Sequence, residues 1–308
     1  MKKELYLKHR PKSLAEVIGQ KSTIKMLQSF IKKDKVPHAL LFTGPSGCGK
    51  TTLARILRRK IGCGKFDFKE LDCADFRGID MVRNIRSHIQ QVPIDGKCRV
   101  WLIDECHKMT NEAQNAFLKM LEDTPSHVYF MLATTDPNKL MRTIKTRCTE
   151  VTVKNLSDTD MFKVLDRVAI AENIDISKNI ISKIFECSGG SARQALVLLN
   201  QISGLEDEKD METILEDASA KEKGEFIGKL LLNPNCKWKK IAAALRAAKD
   251  QEAEIIRWGV LGWMKAVLIS NSPLSNRAYI IINAFRDNFY DSKHAGLAAA
   301  CYECSVIS

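Results

Sequence analysis

The sequence lacks the features that mark membrane, secreted and repeat proteins. It contains no run of about 18 apolar residues, so no membrane-spanning helix is expected. Its first residues, Met1-Lys2-Lys3-Glu4, have no apolar core of the kind found in a secretory signal peptide. Internal repeats and low-complexity tracts are also missing. We therefore expect a soluble protein that is not secreted.

Paired cysteines are lacking too, although the 308-residue chain contains ten cysteines. Three of them, Cys48, Cys106 and Cys148, lie inside the motifs described below, where a disulfide would distort the backbone. Cys301-x-x-Cys304 is the one close pair, and no second C-x-x-C accompanies it, so helix packing is favoured over a zinc site. We interpret all ten as free thiols in a reducing compartment.

The net charge of +11 makes an acidic polymer a plausible partner. The basic residues are nevertheless scattered along the chain, as expected for ordinary solvated faces. They gather in Lys2-Lys3, Lys8 to Lys12, Arg55 to Lys60, Arg83 to Arg86 and Lys237 to Lys240. Only a focused patch in the folded protein would indicate DNA binding.

A glycine-rich stretch directly follows the apolar run Ala39–Phe42 and predicts a phosphate-binding loop. The pattern is G-x-x-x-x-G-K-T, and its residues, with the one that follows, are Gly44, Pro45, Ser46, Gly47, Cys48, Gly49, Lys50, Thr51 and Thr52. Such a loop aims backbone N–H groups at phosphates, the lysine reaches the terminal phosphates and the Thr51 hydroxyl can ligate Mg²⁺. The sequence therefore predicts binding of ATP with Mg²⁺. A chance match in a loop without a ligand is the alternative.

Two acidic residues end a second apolar run, Arg99 to Ile103. In parallel α/β sheets, ligands bind at the carboxyl ends of the strands. Asp104 is therefore predicted to hold Mg²⁺, and Glu105 to polarise the water that attacks the γ-phosphate. A solvated strand end is the alternative interpretation.

Periodicity divides the chain into an α/β part and a helical part. We predict a nucleotide-binding domain over residues 1–155, a helical lid over 156–204 and a helical oligomerisation bundle, or collar, over 205–308. The predicted parallel strands are Ala39–Thr43, Asp67–Cys73, Arg99–Asp104, His127–Thr134 and Cys148–Val153, with helices near 50–61, 79–90, 111–122 and 139–146. The lid helices include Ile174–Cys187 and Ala192–Ile202. The charged segment Leu205–Asp217 is expected to be a break, followed by helices over Glu225–Leu232, Trp238–Ala248, Ala253–Leu268, Arg277–Phe289 and Ala295–Val306.

Motifs around the two nucleotide elements resemble those of AAA+ clamp-loader ATPase subunits. The resemblance extends from residue 5 to about residue 202. The segment Tyr6–Gln20 resembles their opening signature, and Asp104-Glu105-Cys106-His107 is a form of their D-E-x-H box. Other similar motifs are the sensor-1 strand end Leu132–Pro137, the S-R-C-like Thr146-Arg147-Cys148, the sensor-2 helix Gly189–Leu196, and Asp75–Arg83, which is close to a stretch of replication factor C small subunits.

Three departures from the family pattern are visible. Thr146 stands where serine is usual, and His9 stands where the pattern has tyrosine. The four-cysteine zinc module of bacterial DNA polymerase III gamma subunits is also missing, since only Cys63 and Cys73 fall in that region. The resemblance is therefore better to a shorter loader of the kind that phages or large viruses encode. It implies a location in the cytoplasm of a bacterial or phage-infected cell, or in the nucleus of a eukaryote.

The resemblance also implies roles for residues outside the two nucleotide elements. Arg10, Val17 and Ile18 belong to the segment that wraps the adenine. Thr135 is expected to contact the γ-phosphate or the attacking water, and Arg193 to reach the phosphates from the lid. Arg147 is expected to act in trans, as an arginine finger in the ATP site of a neighbouring subunit. An exposed arginine at the start of a strand is the plain alternative.

DNA and protein partners follow from the same resemblance. Arg77, Arg83, Arg86 and Lys119 are the predicted DNA-backbone contacts, with a basic outer face as the alternative. The loop Gln91-Val92-Pro93-Ile94 carries apolar residues between polar ones, which is compatible either with insertion into a sliding clamp or with a packed connector.

The function that the resemblance implies is that of an ATPase subunit of a sliding-clamp loader. Such a subunit works in a ring of loader subunits, opens the polymerase processivity clamp and loads it onto primer-template DNA. Its ATP hydrolysis is expected to be stimulated by DNA and clamp. The alternatives are a structural subunit that completes the ring without hydrolysis, and a AAA+ helicase loader or branch-migration motor.

Overall fold

A computed structural model describes residues 4–270 and 272–306 of the chain. They form two compact units. The first comprises the chain up to Asp175 together with Ser188–Asn200, and the second comprises Ile176–Cys187 together with the chain from Gln201 onward. The division into three domains at 155/156 and 204/205 stays a prediction.

The first unit contains a five-stranded sheet in which every strand pair is parallel. The strands are β1 (Ala39–Thr43), β2 (Cys63–Asp72), β3 (Cys98–Asp104), β4 (Val128–Thr134) and β5 (Thr149–Thr152). Their spatial order is β2-β3-β4-β1-β5, which brings the ends of β1, β3 and β4 together. The predicted five-stranded parallel sheet is confirmed. Strand β2 begins four residues before the predicted start because Cys63 already pairs with Cys98, ahead of an irregularity that ends at Phe68.

Helices connect the strands of the first unit and form most of the second unit. They are α1 (Leu5–Lys8), α2 (Lys21–Lys32), α3 (Lys50–Lys60), α4 (Ile79–His88), α5 (Asn111–Glu122), α6 (Arg142–Arg147), α7 (Asp158–Glu172), α8 (Lys178–Ser188), α9 (Ala192–Ile202), α10 (Glu208–Leu232), α11 (Trp238–Ala247), α12 (Ala253–Ile269), α13 (Ser275–Ala284) and α14 (Lys293–Val306). Short 3-10 turns occur at Leu14–Glu16, Cys106–Lys108 and Pro137–Lys139.

Apolar side chains cover both faces of the sheet, as parallel strands require. Leu41 of β1 packs in the cluster that contains Ile103 and Phe117, whereas its neighbours Leu40 and Phe42 pack in the opposite cluster. Successive side chains of a strand point to opposite faces, so a strand that is covered on both faces must be apolar at every residue. The polar residues that follow β1 and β3 therefore lie together beyond the carboxyl ends of the strands.

The segment Leu205–Asp217, expected to be a break, is largely helical in the second unit. Helix α10 begins at Glu208, and the Asp207 side chain accepts the Lys209 N–H at 2.9 Å as its N-cap. Met211 and Leu215, one turn apart, are buried. The prediction of a break was wrong because glutamate and lysine form exposed helical faces readily, so high charge alone does not end a helix.

The helix predicted over Arg277–Phe289 ends earlier than expected. Helix α13 stops at Ala284, and Phe285 and Phe289 belong instead to the connection that precedes α14. Both phenylalanines are still buried in the core of the second unit, with ring centroids 5.8 Å apart. Both residues are therefore buried as apolar spacing in a helical bundle favours, but the backbone that carries them is not helical.

Candidate nucleotide-binding site

The phosphate loop joins β1 to α3, and its backbone requires glycine at defined positions. Gly44 has φ +148°, and a Cβ there would lie 1.9 Å from the Val153 carbonyl oxygen. Gly49, with φ +108°, immediately precedes Lys50, the first residue of α3. The loop therefore ends at the N-terminus of a helix, where free N–H groups and the helix dipole favour an anion.

Lys50 and Thr51 occupy the positions that phosphate and metal binding require. The Lys50 side chain is buried, and its Nζ donates to the carbonyl oxygens of Gly44 at 2.8 Å and Pro45 at 2.7 Å. Thr51 Oγ1, in the first turn of α3, donates to Asp104 Oδ2 at the end of β3, at 2.8 Å. A hydroxyl and a carboxylate at this distance fit Mg²⁺, which takes oxygen ligands.

Glu105 follows β3 in a left-handed conformation, with φ +48°. Its Oε2 accepts a hydrogen bond from Thr135 Oγ1 at 3.1 Å and lies 3.3 Å from His107 Nδ1. The same His107 nitrogen lies 3.0 Å from Thr134 Oγ1, at the end of the neighbouring strand β4. The predicted proximity of Glu105 and Thr135 is therefore observed. A contact from His107 was not predicted, although this histidine is the last residue of the D-E-x-H box.

The N-terminal segment also lines the cleft. The three predicted adenine-site residues line a cleft of about 270 Å³ together with Ser46–Leu53, Asp104 and Glu105; they are Arg10, Val17 and Ile18. His9 and Lys8 both pair with Glu172, the last residue of α7, and the Lys8 contact is 2.7 Å long. The hydrogen bonds from Lys8 and His9 hold the pKa of Glu172 below its usual value. This attachment was not predicted, since the partners are far apart in sequence.

Arg193 lines the same cleft from the second residue of α9. Its backbone N–H donates to the Gly47 carbonyl oxygen at 3.4 Å, and its guanidinium lies 5.8 Å from the centre of the Tyr6 ring. The helix therefore touches the phosphate loop directly. Tyr6, His9 and Pro11 of the opening signature and Leu196 of the sensor-2 helix also line the cleft. Sequence reasoning missed three further cleft residues, which belong to no motif: Leu156, Val164 and Arg167.

Arg147 is not among the residues that line the cleft. It ends α6, one residue before the Cys148 that precedes β5, and its guanidinium pairs with Glu122 of α5 and donates to the Thr143 carbonyl oxygen at 3.0 Å. About a third of the side chain is exposed, so it remains accessible to another molecule.

The predicted DNA contacts lie outside the cleft and are exposed. Arg77 precedes α4, Arg83 and Arg86 lie on α4, and Lys119 lies on the neighbouring helix α5. Arg83 pairs with Asp80 one turn earlier, at 2.9 Å. The Arg77 carbonyl oxygen accepts the Thr110 N–H at 3.0 Å, which places Arg77 beside the start of α5. The three arginines thus lie on or just before α4, and Lys119 lies on α5, which packs against α4.

All ten cysteines are free thiols, as predicted. Burial raises the pKa of the Cys48 thiol in the phosphate loop and, more strongly, that of Cys106 behind Glu105. Such thiols stay protonated and unreactive near neutral pH. Among the residues that the structure describes, no cluster of histidine, cysteine and carboxylate side chains could hold a metal ion on its own, and no helix is long and apolar enough to span a bilayer.

Comparison with known proteins gives consistent relatives for the first unit. A family model described as "DNA polymerase III, delta subunit" matches residues 19–80 and 72–157. The DNA polymerase III subunit gamma/tau of Mycobacterium tuberculosis H37Rv is 34% identical over 221 residues, which cover 64% of this chain and 38% of that protein. The DNA polymerase III subunit gamma of Buchnera aphidicola is 32% identical over 213 residues, covering 62% of this chain and 59% of that protein.

The chain thus matches only 38% to 59% of the length of these two relatives. Among solved structures, the Thermotoga maritima RuvB Holliday junction branch migration motor has a TM-score of 0.57 at 22% identity, covering 72% of this chain and 78% of that chain. At this identity the likeness concerns the fold alone.

The parallel sheet, the phosphate loop at the end of β1 and the likeness to RuvB define the AAA+ fold. The sequence relatives narrow this class. The matched part of the chain is similar to the DNA polymerase III gamma/tau subunits, and this similarity supports a clamp-loader AAA+ subunit.

Proposed function

We propose that the chain is an ATPase subunit of a sliding-clamp loader, which opens the polymerase processivity clamp and loads it onto primer-template DNA. The observation that carries the proposal is the convergence of Lys50, the Thr51–Asp104 pair and the Glu105–Thr135 pair at one edge of the sheet. A subunit that only bound nucleotide would not need the last pair. The gamma/tau relatives supply the biological context.

The chain's own groups supply most of the machinery for phosphoryl transfer to water. Lys50 exchanges the Gly44 and Pro45 carbonyl oxygens for phosphate oxygens, while Thr51 and Asp104 supply metal ligands. Mg²⁺ held by these two residues would neutralise negative charge on the phosphates. Glu105 accepts a proton from water, and Thr135 orients that water or donates to the γ-phosphate. Arg193 adds positive charge from the opposite wall of the cleft.

One component of the machinery comes from a neighbouring subunit. Arg147 does not line the cleft of its own chain, yet its guanidinium is partly exposed. In a ring it serves the next subunit's ATP site as an arginine finger, an effect of about 10³ or more in rate. The C-terminal helices provide lasting ring contacts, so the active form is a hetero-oligomer with other loader subunits.

DNA binding is assigned to the exposed surface of α4 and α5. Arg77, Arg83, Arg86 and Lys119 are free of the cleft and can contact phosphates without reading bases. A loader must grip any sequence, so binding to the DNA backbone is what it needs. Replacing one of these cations with alanine is expected to lower the slope of log affinity against log salt by about 1.

Two alternatives are separated by specific observations. A non-hydrolysing structural subunit would keep the phosphate loop but would not require the Glu105–Thr135 pair. A helicase loader or branch-migration motor shares the AAA+ fold, and the likeness to RuvB concerns the fold alone. The sequence relatives favour the clamp loader.

The decisive experiment measures phosphate release by the full chain alone, in complex with partner loader subunits, and in that complex with clamp and primed DNA. We expect slow release from the chain alone and stimulation by each addition. Fast release that is indifferent to partners and DNA would contradict the proposal. A complex that binds ATP but never hydrolyses it would identify the structural subunit. Failure to retain the clamp in a pull-down, with DNA-dependent turnover intact, would indicate another motor.

A further inference from the structure

Residues 8–20, which we call the N-terminal strap, line the cleft without belonging to the sheet. The strap is irregular apart from the 3-10 turn Leu14–Glu16. Among the described residues, no backbone–backbone hydrogen bond joins it to the sheet or to α7. Side-chain contacts must therefore hold the strap in place. A segment held in this way opens at lower cost than the hydrogen-bonded core of a domain.

One group of contacts fastens the strap to the sheet and its covering helices. Leu14 is buried in the apolar cluster that α3 forms with the sheet. The guanidinium of Arg59, near the end of α3, donates to the Lys12 carbonyl oxygen at 2.7 Å. Beyond β5, the Lys154 N–H donates to Gln20 Oε1 at 3.1 Å. The middle and the end of the strap are therefore tied to the α/β core.

A second group of contacts fastens the strap to α7. Glu172, the last residue of that helix, pairs with both Lys8 and His9, and its side chain is only 16% exposed. Earlier on the same helix, the Arg167 guanidinium donates to the Glu16 carbonyl oxygen at 3.1 Å. The strap is therefore held between two elements and does not simply lie on one of them.

The cleft residues of the strap lie next to cleft residues of α7. Arg10, Val17 and Ile18 line the cleft together with Val164 and Arg167 of the helix. A nucleotide in the cleft is therefore enclosed in part by the strap and in part by α7. Separating the two would open this wall, whereas the phosphate loop belongs to the connection between β1 and α3 and would keep its shape.

Glu172 makes the stronger of the two attachments to α7. It holds two side chains that can carry positive charge, and hydrogen bonds between oppositely charged partners are stronger than those to a neutral carbonyl oxygen. The Lys8 side chain is nevertheless 53% exposed, so salt can screen the pair. An ion pair that is partly exposed has modest strength. Such a contact can hold the wall closed and still break when nucleotide leaves.

We propose that Glu172 is a positioning residue that sets how long nucleotide stays bound, by holding the strap against α7 beside the predicted adenine-site residues. The inference rests on the proposed function, in which the cleft binds ATP and releases ADP. The phosphate loop holds the phosphates, and separation of the strap from α7 lets the product escape. Loosening such a wall changes the dissociation rate constant more than the association rate constant.

The test measures both rate constants for a fluorescent ADP analogue with Mg²⁺ on the full chain, by stopped flow. Glu172→Gln keeps the size of the side chain and removes its charge, so dissociation should become about three- to tenfold faster with association nearly unchanged. Asp166→Asn is the matched control, because Asp166 is exposed on the same helix and the substitution removes the same charge. It should leave both rate constants unchanged.

Two further measurements separate an electrostatic attachment from a general structural role. Added salt should speed dissociation more from the unaltered chain than from Glu172→Gln, since only the unaltered chain has an ion pair there to screen. Glu172→Lys places like charges together and should release nucleotide fastest. The charge exchange Lys8→Glu/Glu172→Lys should slow dissociation again, because opposite charges face each other once more.

A second variant reaches the same contact from the strap and covers the case in which Glu172→Gln does not fold. Lys8→Ala/His9→Ala removes both partners of Glu172 and leaves α7 unaltered. It should release the ADP analogue as fast as Glu172→Gln does. Adding Glu172→Gln to this double variant should have no further effect, since the contact is already lost.

The outcomes separate this inference from the proposed function. Failure of the unaltered chain to bind the ADP analogue would contradict the proposed function itself. Normal dissociation from a folded Glu172→Gln or Lys8→Ala/His9→Ala chain would leave nucleotide binding intact and overturn the role of Glu172. A loss of affinity that resides in the association rate constant, or that the charge exchange does not reverse, would also overturn it.

Discussion

Each unit buries a carboxylate against a guanidinium, but the two pairs have different surroundings. In the first unit, Asp67 and Arg99 hold the loop that joins α4 to β3, which exposes Val92 and Ile94. In the second, Glu254 and Arg257 lie one turn apart on α12 with Nη2 and Oε1 2.7 Å apart, and their remaining bonds go to the Phe289 N–H and the Phe285 carbonyl oxygen. One pair shapes a surface that another molecule can reach. The other only fixes the connection between α13 and α14.

The same contrast runs through the rest of the molecule. Polar side chains of the first unit converge at the strand ends, where they line the cleft. The second unit has an apolar helical core, and the Glu254–Arg257 pair is the buried ion pair among its described residues. Substitutions of these converging polar side chains should therefore alter chemistry with little effect on folding. Substitutions in the second unit should alter folding and leave nucleotide binding unchanged.

The largest effect is expected from Lys50→Ala. Removing the ammonium group costs charged hydrogen bonds of about 1.5–3 kcal/mol each, so ATP binding should weaken about a hundredfold or more and turnover should be lost. Titration with a fluorescent ATP analogue measures the affinity. Lys60→Ala, at the exposed end of the same helix, is the control. A Lys50→Ala chain that bound ATP normally would move the phosphate site elsewhere.

The second-largest effect is expected from Arg147→Ala, and it should appear only when the subunits are assembled into a ring. Because the arginine acts on a neighbour's site, hydrolysis by the ring should fall about 10³-fold or more, with ATP affinity unchanged. Single-turnover hydrolysis in the assembled complex measures this. Glu122→Ala removes the carboxylate that pairs with Arg147 within the chain and should leave most of the activity. Equal turnover by the Arg147→Ala ring would exclude catalysis in trans.

Glu105→Gln should separate ATP binding from hydrolysis within one chain. The amide keeps the size of the carboxylate and can still accept from Thr135, but it cannot take a proton from water, so turnover should fall about 10²- to 10⁴-fold. The ATP-bound complex should still bind the clamp, and the lifetime of that bound state should stay the same or increase. Retention of full turnover would show that another group is the general base.

Glu254→Ala tests whether a substitution in the second unit alters folding and leaves nucleotide binding unchanged. It leaves a buried guanidinium unpaired, which typically costs about 3–5 kcal/mol, whereas replacing both partners with methionine should recover most of that loss. Urea unfolding followed by tryptophan fluorescence is suitable, since Trp238, Trp258 and Trp263 all lie in the second unit. ATP affinity should not change. A variant that lost ATP binding while still folded would break the proposed separation of roles.

The smallest expected effect is a pH dependence of the same pair. The hydrogen bond from Arg257 holds the pKa of Glu254 below its usual value, despite burial. A lowered folded-state pKa means that the stabilisation is present above the ordinary glutamate pKa of about 4.3 and is lost as the pH falls through the lower folded value. The urea midpoint of the second unit should therefore drop on acidification, and drop less in the double methionine variant. Equal slopes would show that the pair is not the group being titrated.

Local sequence was sufficient to predict the parts of the fold whose signals are local. Strand β1 and the start of α3 are where the apolar run and the glycine spacing place them, and the adjacency of Glu105 and Thr135 follows from parallel strand ends. Longer-range features had no such signal. Asp67 binds loop amides 27 and 28 residues away, and Glu172 meets Lys8 across 164 residues, so neither pairing could be inferred from spacing.

The contacts of Glu172 also affect how mutational data on this chain should be interpreted. One carboxylate accepts two cations from consecutive residues, Lys8 and His9, so either can keep the segment docked when the other is replaced. Redundancy of this kind hides importance from single-site scans. Alanine at position 8 or position 9 will look harmless, and only the pair, or Glu172 itself, will show how much the wall of the cleft depends on being tied down.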